Sequence, residues 1–165
     1  MLKLRHGNLI GREIHVKPYL HPAGEAIHFQ WNLDSSVGKG GANSRPADVM
    51  YIQWYYTLAA QHALTPEDRK IIYRQVRVNG ICRGTDDDPL VAAIRAHQQA
   101  LNHPQIDGKI SVAQGTGKIG ASAYFILRLG ARLANMYPTK WPRLDLIPNC
   151  PALVAQAVHQ AIPSI

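Results

Sequence analysis

Two glutamines, Gln53 and Gln98, stand beside apolar helical stripes in this chain. An amide placed there either hydrogen-bonds inside the fold or faces a groove where it can hold a ligand. His97 precedes Gln98 and joins it as a candidate contact. Arg69, Lys70, Arg74, Arg77 and Arg83 form the densest basic run, with Tyr73 inside it. Such a run suits carboxylates or phosphates, so Arg74 and Arg83 are further candidate ligand residues. General acid chemistry has fewer places. Of the three glutamates, Glu13, Glu25 and Glu67, the last belongs to a helix start, and Glu25, beside His21 and His28, is the place for a hydrolase carboxylate. No H-E-x-x-H, G-x-S-x-G or C-x-x-C occurs, so neither a metal set nor a cofactor motif is expected. The acidic run at Asp86, Asp87 and Asp88 lacks the alternating oxygen ligands of a calcium loop, and helix capping accounts for it. Gly115-Thr116-Gly117-Lys118 resembles the end of a phosphate-binding loop, but Val112 stands where its first glycine is required and Ile119 where Ser or Thr is required.

The elements that must position these residues are mostly helical. A glycine-rich lead-in from residue 36 passes into a helix through Asn43 or Ser44 as cap and Pro46 in the first turn. Val49, Ile52, Tyr56, Ala59 and Ala63 then form one apolar face, with Asp48 near the helix start. Thr65-Pro66-Glu67-Asp68 opens a short helix running to about Arg74, and Asp88-Pro89 opens another carrying Leu90, Ile94 and His97 or Gln98 inward. Asp107-Gly108 between apolar residues predicts a small hairpin or hook. Residues 119–137 are expected to form the central packing helix, and residues 152–161 a last one that docks Leu153, Val154, Ala157 and Val158. Before residue 36 the pattern is strand-like: a hairpin about His6-Gly7-Asn8, a turn at His21 to Gly24, and a strand over 26–33.

At 165 residues, with 46% hydrophobic and 18% charged residues, the chain suits one globular unit. Three segments are expected: an arm over 1–35, a helical core over 36–137 and an extension with a helix over 138–165. The net charge of +7 favours anionic partners. No signal-peptide-like or membrane-spanning apolar run is present, so synthesis in the cytoplasm without a signal peptide is expected. Cys82 and Cys150 are expected to be free thiols.

Asp48-Val49, Ile52-Gln53 and Leu58, then Gly80, Gly84, Leu90, Ala93-Ile94 and His97-Gln98, then Asp107-Gly108, are similar to the peptidoglycan-binding domain pattern of two glutamine-bearing helices and a D-G turn. The lead-in S-V-G-x-G-G-x-N resembles variants beside cell-wall enzymes and type VI secretion effectors. The resemblance covers residues 36–130 or so. It implies a mainly α fold, a three-helix core with extra helices and a short β arm, which binds peptidoglycan glycan or stem peptide without cutting it. It also implies delivery by a specialised secretion system to the periplasm, with a secretion component or immunity protein as partner. Two other readings stay open: a cell-wall hydrolase using Glu25, His21 and His28, and a nucleic-acid-binding basic module, the least favoured because helix-turn-helix and RNA-binding signatures are absent.

Overall fold

The computed structural model describes residues 16–23, 26–114 and 124–161. Strand β1 (Val16–Ala23) runs antiparallel to β2 (Ala26–Leu33), in register from Val16 opposite Leu33 to Ala23 opposite Ala26. The expected strand over 26–33 is therefore present. The turn expected at His21 is not: His21, Pro22 and Ala23 continue β1, because their backbone lies opposite His28, Ile27 and Ala26. In a two-stranded ribbon each strand has a free edge, so Pro22 needs no ladder partner on that side. The hairpin expected about His6 lies outside the described residues.

The glycine-rich lead-in forms a two-residue strand, β3 (Val37–Gly38), which pairs with β4 (Lys109–Ile110). The Asp107-Gly108 turn thus feeds a long-range pairing and not a local hairpin. Gly38 sits at φ +109°, where a Cβ would run into the Gly108 carbonyl, so only glycine allows this approach. Lys39 N donates to Gly108 O at 2.9 Å. Asn43 does not cap the next helix. Its Oδ1 accepts from Gly38 N at 2.8 Å and its Nδ2 donates to Gly38 O at 2.9 Å, so it ties the lead-in to itself.

Helix α1 (Pro46–Gln61) follows, with Arg45 at its N-cap and no side-chain cap bond. It is buried on almost every side, with Trp54, Tyr55 and Tyr51 enclosed as well as Val49, Ile52, Tyr56 and Ala59 of the expected stripe, whereas Ala63 lies beyond the helix end and is exposed. The polar tips of the aromatic residues hide this from a hydropathy reading. Of those tips, Trp54 Nε1 donates to Pro148 O at 3.0 Å, while the Tyr51 hydroxyl is buried without a hydrogen-bond partner. α1, with twelve of its sixteen residues buried, is therefore the central helix in place of α4 (Phe125–Met136), which buries six of twelve: Phe125, Ile126, Leu127, Leu129, Gly130 and Leu133. The first residues of the expected helix at 119–123 lie outside the described residues.

Between these, α2 (Glu67–Tyr73) has Pro66 at its N-cap without a side-chain bond, and Thr65 is buried instead of capping. α3 (Pro89–Ala100) starts as expected, with the Asp88 carboxylate accepting from Leu90 N at 2.8 Å. A 3-10 turn (Leu144–Leu146) leads to α5 (Ala152–Ala161), which buries Val154, Ala157 and Val158. One hydrophobic cluster takes Trp31 and Leu33 from the arm, Ile52 and Tyr56 from the core, and Val154 and Val158 from the extension. The protein is mainly helical with a short N-terminal strand pair, and among the described residues no helix is long and apolar enough to cross a membrane.

Candidate ligand-binding cleft

Gln53 points from α1 at the turn Asn79-Gly80-Ile81. Its Oε1 accepts from Asn79 N at 3.0 Å and Gly80 N at 2.9 Å, and its Nε2 donates to Asn79 Oδ1 at 2.9 Å and Ile81 O at 3.0 Å. Four bonds exhaust what a primary amide can make. Gln98 does the same from α3 toward Asp107-Gly108-Lys109. Oε1 accepts from Gly108 N at 2.9 Å, while Nε2 donates to Asp107 Oδ1 at 3.1 Å and Lys109 O at 3.0 Å. In each turn the Asx oxygen also accepts the N–H two residues on, and the glycine has positive φ, +74° at Gly80 and +76° at Gly108. The chain thus contains one helix-to-turn clasp twice, and α2 occupies the longer loop of the first copy. Asn32 makes a related pair at the end of β2, accepting from Ala113 N and donating to Ala113 O, both at 2.9 Å.

The two glutamines therefore do not converge on one groove. Both are buried, each against its own turn, which makes them structural clasps. His97 is also enclosed: its ring stacks on Tyr55 with centroids 5.7 Å apart and meets Phe125 edge-on at 5.0 Å. Burial, with the charges of Arg132, Arg69 and Arg128 adding, pushes its pKa down to about 3, so it is a neutral core residue. Arg74 is exposed and paired with Glu67 at 2.8 Å.

Arg83 lies elsewhere, in an open cleft of about 300 Å³ between residues 75–83 and the start of α3. Val76, Ile81, Pro89 and Leu90 give the cleft apolar walls, and Arg77 and Arg83 supply its cations. Its single acid, Asp88, is already engaged by Arg83 N and Leu90 N, both at 2.8 Å. The first clasp shapes this cleft, since Gln53 and Asn79 both line it. The cleft thus sets Arg77 and Arg83 against one lining acid, with Arg83 also pairing Asp87 at 3.4 Å, and its apolar walls and clasped turn suit a ligand carrying a carboxylate on a short apolar stem. Sequence reasoning missed Arg77 as a lining residue and Asn79-Gly80 as the partner of Gln53. The signal was present, since Asn-Gly is a strong turn dipeptide.

The remaining candidates separate. His21 and His28 face each other in the β1–β2 register, while Glu25 lies outside the described residues. The three aspartates are all occupied locally: Asp86 by Lys39 at 2.7 Å and Arg95 at 2.9 Å, Asp87 by Thr85 and Arg83, Asp88 by the α3 cap. Cys82 and Cys150 are free, and burial raises both thiol pKa values, that of Cys150 to about 12, so neither is poised as a thiolate. Comparison of the chain with protein-family models, with curated proteins and with solved structures returns no match.

Proposed function

We propose that this protein is a non-catalytic cell-wall binding module of the peptidoglycan-binding kind, which takes the carboxylate-bearing stem peptide in the Arg77–Arg83 cleft. The observation that carries the reading is the cleft itself: Arg77 and Arg83 line it together with apolar residues, and among the described residues its one lining carboxylate, Asp88, is occupied by backbone N–H groups. A stem peptide offers matching chemistry, small apolar side chains ending in carboxylates. The residues behind the family resemblance support the same reading, because Gln53, Gly80, Gln98 and Asp107-Gly108 are the parts of the repeated clasp. Delivery through a specialised secretion system, with a secretion component or immunity protein as partner, belongs to this proposal. The basic run is less suited to nucleic acid, since Lys70 and Arg74 share Glu67 and so present a local pair where a continuous phosphate track is needed.

Co-sedimentation with purified sacculi at low salt tests the reading. The native chain is expected in the pellet, and Arg77→Glu combined with Arg83→Glu is expected to lower the bound fraction at least tenfold. No retention of the native chain would end it. A hydrolase reading draws on one observation, the facing positions of His21 and His28, and requires release of soluble muropeptides from the same sacculi.

A further inference from the structure

Arginines from two helices meet the aromatic core where α2, α3 and α4 come together. Ring contacts set the junction: His97 of α3 lies edge-on to Phe125 of α4, with centroids 5.0 Å apart, and to Tyr73 of α2 at 6.3 Å, and it stacks on Tyr55 of α1. Helical spacing carries the cations to the same place. Arg69 stands four residues before Tyr73, while Arg128 and Arg132 stand three and seven after Phe125, so each shares a helix face with a ring that touches His97. Arg132 Nη2 reaches Thr65 Oγ1, just before α2, at 3.5 Å. His97 is about two turns along α3 from Leu90, which lines the Arg77–Arg83 cleft.

Arg69 and Arg132 are half-buried, and among the described residues neither guanidinium has a carboxylate within 4.0 Å. The acids closest in sequence do not serve them: Glu67 pairs with Lys70 at 3.7 Å and Arg74 at 2.8 Å, and Asp68 is exposed. Both charges are felt inside the protein. Burial dominates the shifts of Tyr55, Tyr73 and His97, and Arg69 and Arg132 act on all three, joined at His97 by Arg128. Two cations held half out of water over buried rings repel each other, and an anion between them turns that repulsion into attraction. Each guanidinium offers its N–H donors in a planar fork. A carboxylate brings one negative charge and two oxygens. A phosphate monoester brings about −1.5 to −2 and three oxygens, so it matches two forks in both charge and acceptors.

We propose that Arg69 and Arg132 form a site for a phosphate monoester dianion, with Thr65 tying Arg132 to the start of α2 and the rings of Tyr55, His97 and Tyr73 beneath. Arg128 adds positive potential from the preceding turn of α4. The site is separate from the Arg77–Arg83 cleft and rests on no part of the cell-wall reading.

Titration of the full chain with glycerol 3-phosphate at about pH 7.5, where the ester is dianionic, tests the proposal when read from the arginine Nε–H resonances by nuclear magnetic resonance. Saturable shifts are expected at Arg69 and Arg132, with Arg74 and Arg77 unmoved. Acetate and dimethyl phosphate, which carry a single negative charge, are expected to bind at least tenfold more weakly. Arg69→Gln and Arg132→Gln are each expected to weaken binding of the ester at least tenfold, and Arg77→Glu to leave it unchanged. The ester is also expected to raise the urea midpoint of the native chain and not that of either glutamine variant. No saturable shift at millimolar ester, or unchanged binding by both glutamine variants, overturns the site. Equal affinity for acetate, or equal shifts at Arg74 and Arg77, overturns it as well, because either marks diffuse attraction to the net charge of +7.

Discussion

Gln53 and Gln98 each link a helix to a turn through one amide, and the consequence of removing that amide is steep. Gln53→Ala would leave the buried Gly80 N–H and the Ile81 carbonyl without their partner, and Gln98→Ala would do the same to Gly108 N and Lys109 O. Each is expected to destabilise the protein by about 2–4 kcal/mol, read as a lower urea midpoint at unchanged slope. Gln53→Glu is expected to be comparably damaging, because a carboxylate would then face Asn79 Oδ1 and the Ile81 carbonyl. Arg77→Ala is the contrast. Its side chain lies on the exposed cleft wall, so stability is expected to change by no more than about 0.5 kcal/mol while sacculus retention falls. If the clasp variants bound sacculi normally at native stability, the glutamines would have no structural role.

At the scale of elements, two buried titratable groups join neighbours with opposite pH dependence. Asp48 ties the start of α1 to the end of β2, its Oδ2 accepting from Ser35 N at 2.7 Å and Asp34 N at 3.0 Å while Oδ1 is buried without a partner. Burial, with a smaller push from Asp34 and partly offset by those N–H groups, raises its pKa from 3.8 to about 7. The folded chain then keeps a proton that the unfolded chain has released, so stability falls as pH rises from about 4 to 7. His97, joining α3 to the aromatic cluster, moves from 6.5 to about 3. There the unfolded chain takes up the proton, so stability falls as pH drops from 6.5 to about 3. The two slopes oppose each other between about 4 and 6.5, and each is at most about 1.4 kcal/mol per pH unit. Native stability is expected to be nearly level over that window. Asp48→Asn is expected to rise with pH there and His97→Phe to fall, which urea midpoints at pH 4.5 and 6.5 would distinguish. A common slope for all three chains would refute the assignment.

For the molecule as a whole, the extension is part of the core. Leu144, Ile147, Val154 and Val158 are buried, and at about 1.5–3 kcal/mol each their burial is comparable with the whole stability of a small domain. The indole N–H groups of Trp31 and Trp54 both end on carbonyls of this segment, at Pro142 and Pro148. Removal of residues 138–165 is expected to abolish the cooperative urea transition and the near-ultraviolet circular dichroism. A sharp transition in the shortened chain would make the segment an appendage. The sequence reading of three segments marks changes in local pattern, whereas the cluster that joins them depends on side chains meeting from distant parts of the chain.

Local signals were legible because they act within about a turn of chain. Pro46, Asp88-Pro89 and the apolar spacing of 152–161 announce helices that the structure contains, and the alternation over 26–33 announces β2. The cleft was legible only in part: Arg83 was visible as one of a basic run, but nothing near it says that Arg77 shares its cleft while Arg74 turns to Glu67. Residue types alone determined that Gln53 and Gln98 needed an amide's worth of partners in a half-apolar setting. Tertiary structure decided which partners: Gly80 27 residues from Gln53, Gly108 10 residues from Gln98, and Gly38 against Gly108. Asp88 bonds to its own near neighbour Leu90, whereas the expected caps Asn43 and Thr65 are drawn away, one to Gly38 and the other into the core. A buried amide bonds to whichever turn the packing of the helices brings to it, and that choice belongs to the whole fold.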